Sequence, residues 1–366
     1  MNLVIQTTVL VTLLCLALQS TRKYNQFCAE YNEYGDPYTY SNFCILLLLM
    51  VLIVNEGFRH GYQDTVNYVG GYRDFSDDLS ILLAGVEAKG FALFQWCLRK
   101  ICAKPQFIII VMAVIINVSD LHYIKKYAFS IPFSIYLWFL DSFISNMNGL
   151  RQILAAVILM LAFPLIVKKE YIKYIAVILL LSTIHKSILI VIPLAFLYSG
   201  KRWNVGIVLF ELFCVVSVFS PGVINRLIGQ LASDKYANYI TNYTASANIM
   251  NALVMAVPLI LGIIYHVNNK DSGDRVVDVL INMHAISFGF MMLATTMAQY
   301  ARIGMYMRNA SALITPFLIS KVFGSSAKMV SSIAVVLYTI VFWVQIIGLK
   351  NWGALEVLYL DFSFFS

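Results

Sequence analysis

Apolar runs follow one another along the chain with few breaks, at 1–19, 42–58, 105–122, 127–147, 150–167, 171–185, 186–200, 204–220, 250–267, 277–298, 303–322 and 329–349. A helix crossing the hydrocarbon of a bilayer needs about 20 predominantly apolar residues, with roughly 17–25 tolerated. The pattern predicts an all-α polytopic membrane protein with about 12 transmembrane helices. The stretches between spans at 59–104 and 221–249 are too short to bury a core of their own. Residues 1–366 therefore read as one transmembrane domain, with those two segments forming one face.

Cations orient the spans. Arg22-Lys23, Lys125-Lys126, Lys168-Lys169 with Lys173, Lys201-Arg202, Lys270 with Arg275, and Lys321 with Lys328 sit as tight clusters in short loops. Such loops stay inside. Both termini and the two longer segments then lie outside. The first run has no preceding Lys or Arg and is followed by Arg22 and Lys23, an order that favours a retained span over a cleaved signal peptide.

Three outer features depart from plain loops. As one helix, 171–200 would be longer than the hydrocarbon needs, so a hairpin with His185-Lys186-Ser187 at its apex is expected. A charged apex below the surface implies a recessed outer cavity. Residues 86–102 place Phe91, Phe94, Leu98 and Ile101 on one helical face, which suits a helix lying in the outer interface. Tyr236, Tyr239 and Tyr243 recur at helical spacing within 221–249.

Composition agrees with the pattern: 60% of residues are apolar and only 12% charged, about half the charged share of a soluble domain. The net charge of +7 fits both positive-inside anchoring and an anionic substrate. The six cysteines (15, 28, 44, 97, 102, 214) lack metal-ligand spacing and suggest no disulfide framework. No P-loop, zinc-ligand pair or dinucleotide fingerprint occurs, so the expectation is no cofactor, no metal and no nucleic-acid partner.

Chemistry gathers at the outer span ends. Arg59 closes the second run, and Asp64 and Tyr68 follow at i,i+4 spacing. A guanidinium fits a phosphate as a planar fork, though an Arg here also suits headgroup anchoring. Asn148-Gly149-Leu150-Arg151-Gln152 opens the fifth run, where a glycine turn, free amides and Arg151 make an anion site or an interfacial anchor. His185 and Ser187 lie at the apex, with no orienting acid nearby for a nucleophilic pair. Gln299, Arg302, Tyr306 and Asn309 are spaced 3, 4 and 3, one polar stripe on the eleventh span. Asp64 and Glu87 are outer carboxylates able to accept a proton, and Tyr239 with its neighbours offers faces for sugars or joins an aromatic belt.

These pieces, in this order, resemble the EpsG/Wzy-type family of bacterial polysaccharide polymerases. The matching elements are Gly57-Phe58-Arg59 with Asp64-Thr65-Val66-Asn67-Tyr68, Glu87 with Gly90-Phe91, and Asn148-Gly149-Leu150-Arg151-Gln152 with Ala155 and Ala156. They continue with His185-Lys186-Ser187 and Pro193, then Arg302, Tyr306 and Pro316. The resemblance implies a glycosyltransferase of the bacterial inner membrane, GT-C-like in fold, that polymerises undecaprenyl-pyrophosphate-linked oligosaccharide repeat units at the periplasmic face. Donor and acceptor are both lipid-linked, and a chain-length regulator is an expected partner. On that resemblance Arg59, Arg151 and Arg302 hold pyrophosphate, His185 assists, and Asp64 or Glu87 accepts the acceptor's proton. Tyr68, Gln152, Ser187, Gln299, Tyr306 and Tyr239 contact substrate. A lipid-linked oligosaccharide flippase and a membrane acyltransferase acting on surface glycans are the alternatives.

Overall fold

The computed structural model describes residues 3–25, 36–62, 64–76, 78–79, 87–220, 222, 246–269, 274–307, 309–348, 358–362 and 364. Helices dominate: α1 (Leu3–Thr21), α2 (Asn42–Gly57), α3 (Thr65–Arg73), α4 (Lys89–Ile101), α5 (Gln106–Tyr127), α6 (Ile131–Asn146), α7 (Leu150–Leu161) and α8 (Phe163–Val167). After α9 (Tyr171–Ser182) and a 3₁₀ turn at Lys186–Ile190 come α10 (Val191–Tyr198), α11 (Val205–Phe219), α12 (Ile249–Asn268) and α13 (Arg275–Ala294). The series ends with α14 (Tyr300–Gly304), α15 (Asn309–Phe323) and α16 (Ala327–Gly348). Two short antiparallel pairs accompany them: β1 (Lys23–Tyr24) with β2 (Tyr38–Thr39), and β3 (Arg59–His60) with β4 (Tyr359–Leu360).

The helix starts are local chemistry. Ser41, Asn204, Asn248 and Asp274 cap α2, α11, α12 and α13 by accepting amides two or three residues on, which satisfies donors a helix leaves open. Pro132 sits in the first turn of α6, where a missing amide costs nothing.

Leu3–Thr21, Gln106–Tyr127, Ile249–Asn268, Arg275–Ala294 and the helical run Asn309–Ile346 are long and apolar enough to cross a membrane. Asn42–Gly57, Leu150–Leu161, Tyr171–Ser182, Lys186–Tyr198 and Val205–Phe219 are apolar but shorter. The chain is thus an all-α membrane protein.

By packing, the chain forms two compact units. The first comprises 1–165, 171–189 and 329–366. Here α2 packs on α1 and α5, α1 on α6, and α5 on α3, α4, α6 and α7, while α7 carries α9. The approach of α2 to α5 is close at Gly57, where an added Cβ would stand 3.3 Å from the Ile110 Cα. Tyr123, Tyr127 and Phe163 form an aromatic cluster at the far end of α5. An apolar cavity of about 630 Å³ lies among α1, α6 and α16, lined by Thr12, Tyr136, Val335, Thr339 and Trp343. None of the candidate site residues lines it.

The second unit comprises 166–170 and 190–328. Its centre is α13, buried from Val276 through Met291 and packed against α10, α11, α12, α14 and α15. One end is tied by polar contacts: Arg202 Nη1 donates to Asp278 Oδ1 at 2.7 Å, and the Asn282 side chain receives the Trp203 amide at 3.0 Å and donates to Lys201 O at 3.1 Å.

A turn after α9 and the 3₁₀ segment divide the 171–200 run at the residues expected as its apex; α9 packs on α7 in the first unit, and α10 on α11 and α13 in the second.

Candidate functional site

The segment after α2 and the turn before α7 interlock at alternate residues. Arg59 Nη2 donates to Met147 O at 3.2 Å, Asp64 Oδ2 accepts the Gly149 amide at 3.0 Å, and the Tyr68 hydroxyl accepts the Arg151 amide at 3.3 Å. Gly149 makes the turn possible, because its φ of +67° is a left-handed conformation that costs a residue with a Cβ roughly 1–2 kcal/mol. The amides expected to be free for an anion are partly taken. At Gly149 and Arg151 they are capped from within, by an acid and a phenol. This corrects the reading of the helix start as an open amide site.

Arg59 is buried, with 1% of its surface exposed. Its Nε donates to Thr65 Oγ1 at 3.0 Å and its Nη1 to the Glu56 carbonyl, in addition to Met147 O. Burial pushes its pKa down to about 10, the Glu56 carboxylate opposing, so it stays charged at neutral pH. Its guanidinium is spent on the protein.

The Arg151 side chain differs. It is half-buried, and its guanidinium lies over the Phe91 ring with Cζ 5.7 Å from the centroid. Among the described residues it donates no side-chain hydrogen bond to protein, so its fork of donors is available to a ligand. Tyr68 meets the edge of the same ring at 6.0 Å.

Below Arg59, the Glu56 Oε2 accepts from Asn117 Nδ2 at 2.7 Å, and Asp120 is buried one turn further along α5. Glu56 and Asn117 carry no role in the sequence reading, and Phe91 is there only an apolar-face and family-matching residue. A polar side chain inside an apolar run was the available signal for the first two; Phe91 reads as an ordinary apolar-face residue.

Gln152 is buried on α7, Glu87 is exposed on the approach to α4, and His185 and Ser187 are half-buried between α9 and α10. Gln299, Arg302 and Tyr306 belong to the second unit. They do not share one helical face. The chain leaves α14 after Gly304, so Arg302 is exposed while Tyr306 is 1% exposed, and Asn309 starts α15. At the break Ser287 Oγ donates to Gly304 O at 3.1 Å, and an added Cβ on Gly304 would stand 3.2 Å from Ser287 O. Tyr236, Tyr239 and Tyr243 lie outside the described residues. Among the described residues no three His, Cys, Asp or Glu side chains gather as a metal site.

An all-α membrane protein with an arginine turn interlocked to the start of a neighbouring apolar helix is the class this geometry defines. A family model described as the EpsG family matches residues 42–359, and the chain belongs to that family. At the family level it is a glycosyltransferase-like membrane polymerase of polysaccharide biosynthesis, acting on lipid-linked oligosaccharides. Neither a curated protein nor a solved structure matches the chain.

Proposed function

We propose that the protein joins oligosaccharide repeat units carried on undecaprenyl pyrophosphate into O-antigen or another surface polysaccharide, at the periplasmic face of the inner membrane. The observation carrying this reading is the Arg151 guanidinium, held at the end of a span yet not consumed by protein acceptors among the described residues. The acceptor hydroxyl attacks the anomeric carbon of the donor, and the bond from that carbon to the pyrophosphate oxygen breaks. Charge accumulates on the leaving pyrophosphate, where a fixed cation stabilises the transition state more than the ground state. Arg151 supplies that charge permanently, without a metal, since guanidinium does not deprotonate at working pH. Arg302 is a second pyrophosphate contact in this reading. Asp64 or Glu87 takes the hydroxyl proton, and His185 assists.

Arg59 serves the same site by holding the 147–151 turn. This revises its role from phosphate contact to positioning.

The test is surface-polysaccharide chain length in a deletion strain complemented with wild-type, Arg151→Ala, Arg302→Ala or Arg59→Ala protein. Surface-exposed single units without extension in Arg151→Ala support the reading. Normal long chains in Arg151→Ala remove Arg151 from the site. Single units trapped at the cytoplasmic face of the deletion strain make the protein a flippase.

A further inference from the structure

We propose that Phe91 is a positioning residue for Arg151, and that the joint between α4 and α9 holds it in place. The proposal rests on the reading of Arg151 as the pyrophosphate ligand. Phe91 is 4% exposed and presents one face to the Arg151 guanidinium at 5.7 Å and an edge contact to Tyr68 at 6.0 Å. A cation over an aromatic face is attracted by the ring quadrupole. The contact limits the directions a long, flexible side chain explores while leaving all its N–H groups for a ligand.

The ring is itself fixed. The amides of Gly90 and Phe91, in the open first turn of α4, both donate to Thr183 O, at 2.9 and 3.4 Å. Thr183 follows the last residue of α9, so a helix start meets a helix end and each supplies what the other lacks. The junction has no room to spare: an added Cβ at Gly90 would fall 2.1 Å from Thr183 Oγ1 and 3.2 Å from the Thr183 carbonyl carbon. His185 lies two residues beyond this joint. The amphipathic helix α4 thus does more than float in the interface. It connects the segment bearing His185 to the ring beneath Arg151.

The experiment uses the full chain purified in nanodiscs, with Phe91→Leu, Phe91→Tyr and Gly90→Ala variants. In the first arm, polymer formation is followed against the concentration of pyrophosphate-linked repeat unit. Phe91→Leu is expected to lower kcat/KM about 3- to 10-fold, with kcat falling because Arg151 acts on the departing pyrophosphate, as loss of a partly desolvated cation–π contact predicts. Phe91→Tyr restores kcat/KM, and Gly90→Ala behaves as Phe91→Leu. Loss of packing alone would instead lower the unfolding temperature of Phe91→Leu and leave pyrophosphate binding unchanged. In the second arm, inorganic pyrophosphate binding is read from the shift in unfolding temperature. Weaker binding in Phe91→Leu, rescued in Phe91→Tyr, supports the proposal even if no polymer forms, an outcome that would sink only the proposed reaction. Equal kcat/KM and equal pyrophosphate binding in Phe91→Leu and wild type overturn it, as does absence of pyrophosphate binding by wild type.

Discussion

The Asp64 carboxylate accepts the Gly149 amide at 3.0 Å, closing a distance of 85 residues in sequence and joining the segment after α2 to the start of α7. The side chain that caps this turn is also one proposed to accept the proton. Asp64→Asn keeps an acceptor oxygen and removes the charge, so stability should change little while polymer is lost. Asp64→Ala removes both and should cost about 1 kcal/mol in addition, the usual net worth of a hydrogen bond. Thermal unfolding in detergent beside polymer length separates the two. Full activity in Asp64→Asn would leave Glu87 as the acid to test.

Arg59 and Arg151 should fail in different ways. Arg59 makes three buried hydrogen bonds, so Arg59→Ala strands Thr65 and two carbonyls and should destabilise by on the order of 3 kcal/mol. Arg151→Ala should unfold at nearly the wild-type temperature and make no polymer. Denaturation curves of the two purified variants decide this; equal loss of stability in both would merge their roles.

Gly149 should resist substitution. Its φ of +67° makes Gly149→Ala costly by about 1–2 kcal/mol, while Gly149→Asn, tolerated better in left-handed backbone, should cost less. The order Gly, Asn, Ala in unfolding temperature is the expected result.

Asp36 gives a pH dependence outside the spans. It is buried and accepts from the Ile131 amide at 3.1 Å, the Tyr38 amide at 3.2 Å and the Tyr40 hydroxyl at 2.9 Å. Burial outweighs these bonds and raises its pKa above the ordinary 3.8. The folded state therefore holds this proton more tightly than the unfolded chain. Its contribution is fully present below the ordinary value and is lost as pH rises through the raised one. Asp36→Asn should flatten the slope of unfolding temperature against pH just above 3.8; an unchanged slope would assign it to other groups.

The C-terminal strand holds the Arg59 segment from the other side. β4 pairs with β3, Asp361 N donates to Phe58 O at 2.8 Å, and Phe362 packs on Phe58 with centroids 5.2 Å apart. Lys104 Nζ donates to Phe364 O at 2.7 Å. A chain ending at residue 357 should lower the unfolding temperature and shorten polymer, since the loop carrying Arg59 and Asp64 loses one of its two supports. Unchanged polymer length in that truncation would make the strand dispensable.

The sequence by itself determined the class of protein and the polar residues of its candidate site. Runs of apolar residues leave a membrane helix as the only way to satisfy backbone groups in hydrocarbon, so α1, α5, α12 and α13 were legible from composition and length alone. The motifs around Arg59, Asp64 and Arg151 were equally legible as polar residues at span ends. How they use one another was not. Whether a guanidinium faces ligand or carbonyl depends on which acceptors packing brings within about 3 Å, and that is decided between residues 59 and 147, far apart in sequence. The same holds for the stripe at 299–309, whose spacing assumes one helix where the structure ends α14 at Gly304 and starts α15 at Asn309. Local pattern fixes what each segment is; only the tertiary structure decided that Arg59 is spent inside and that Arg151 lies over a ring supplied by α4.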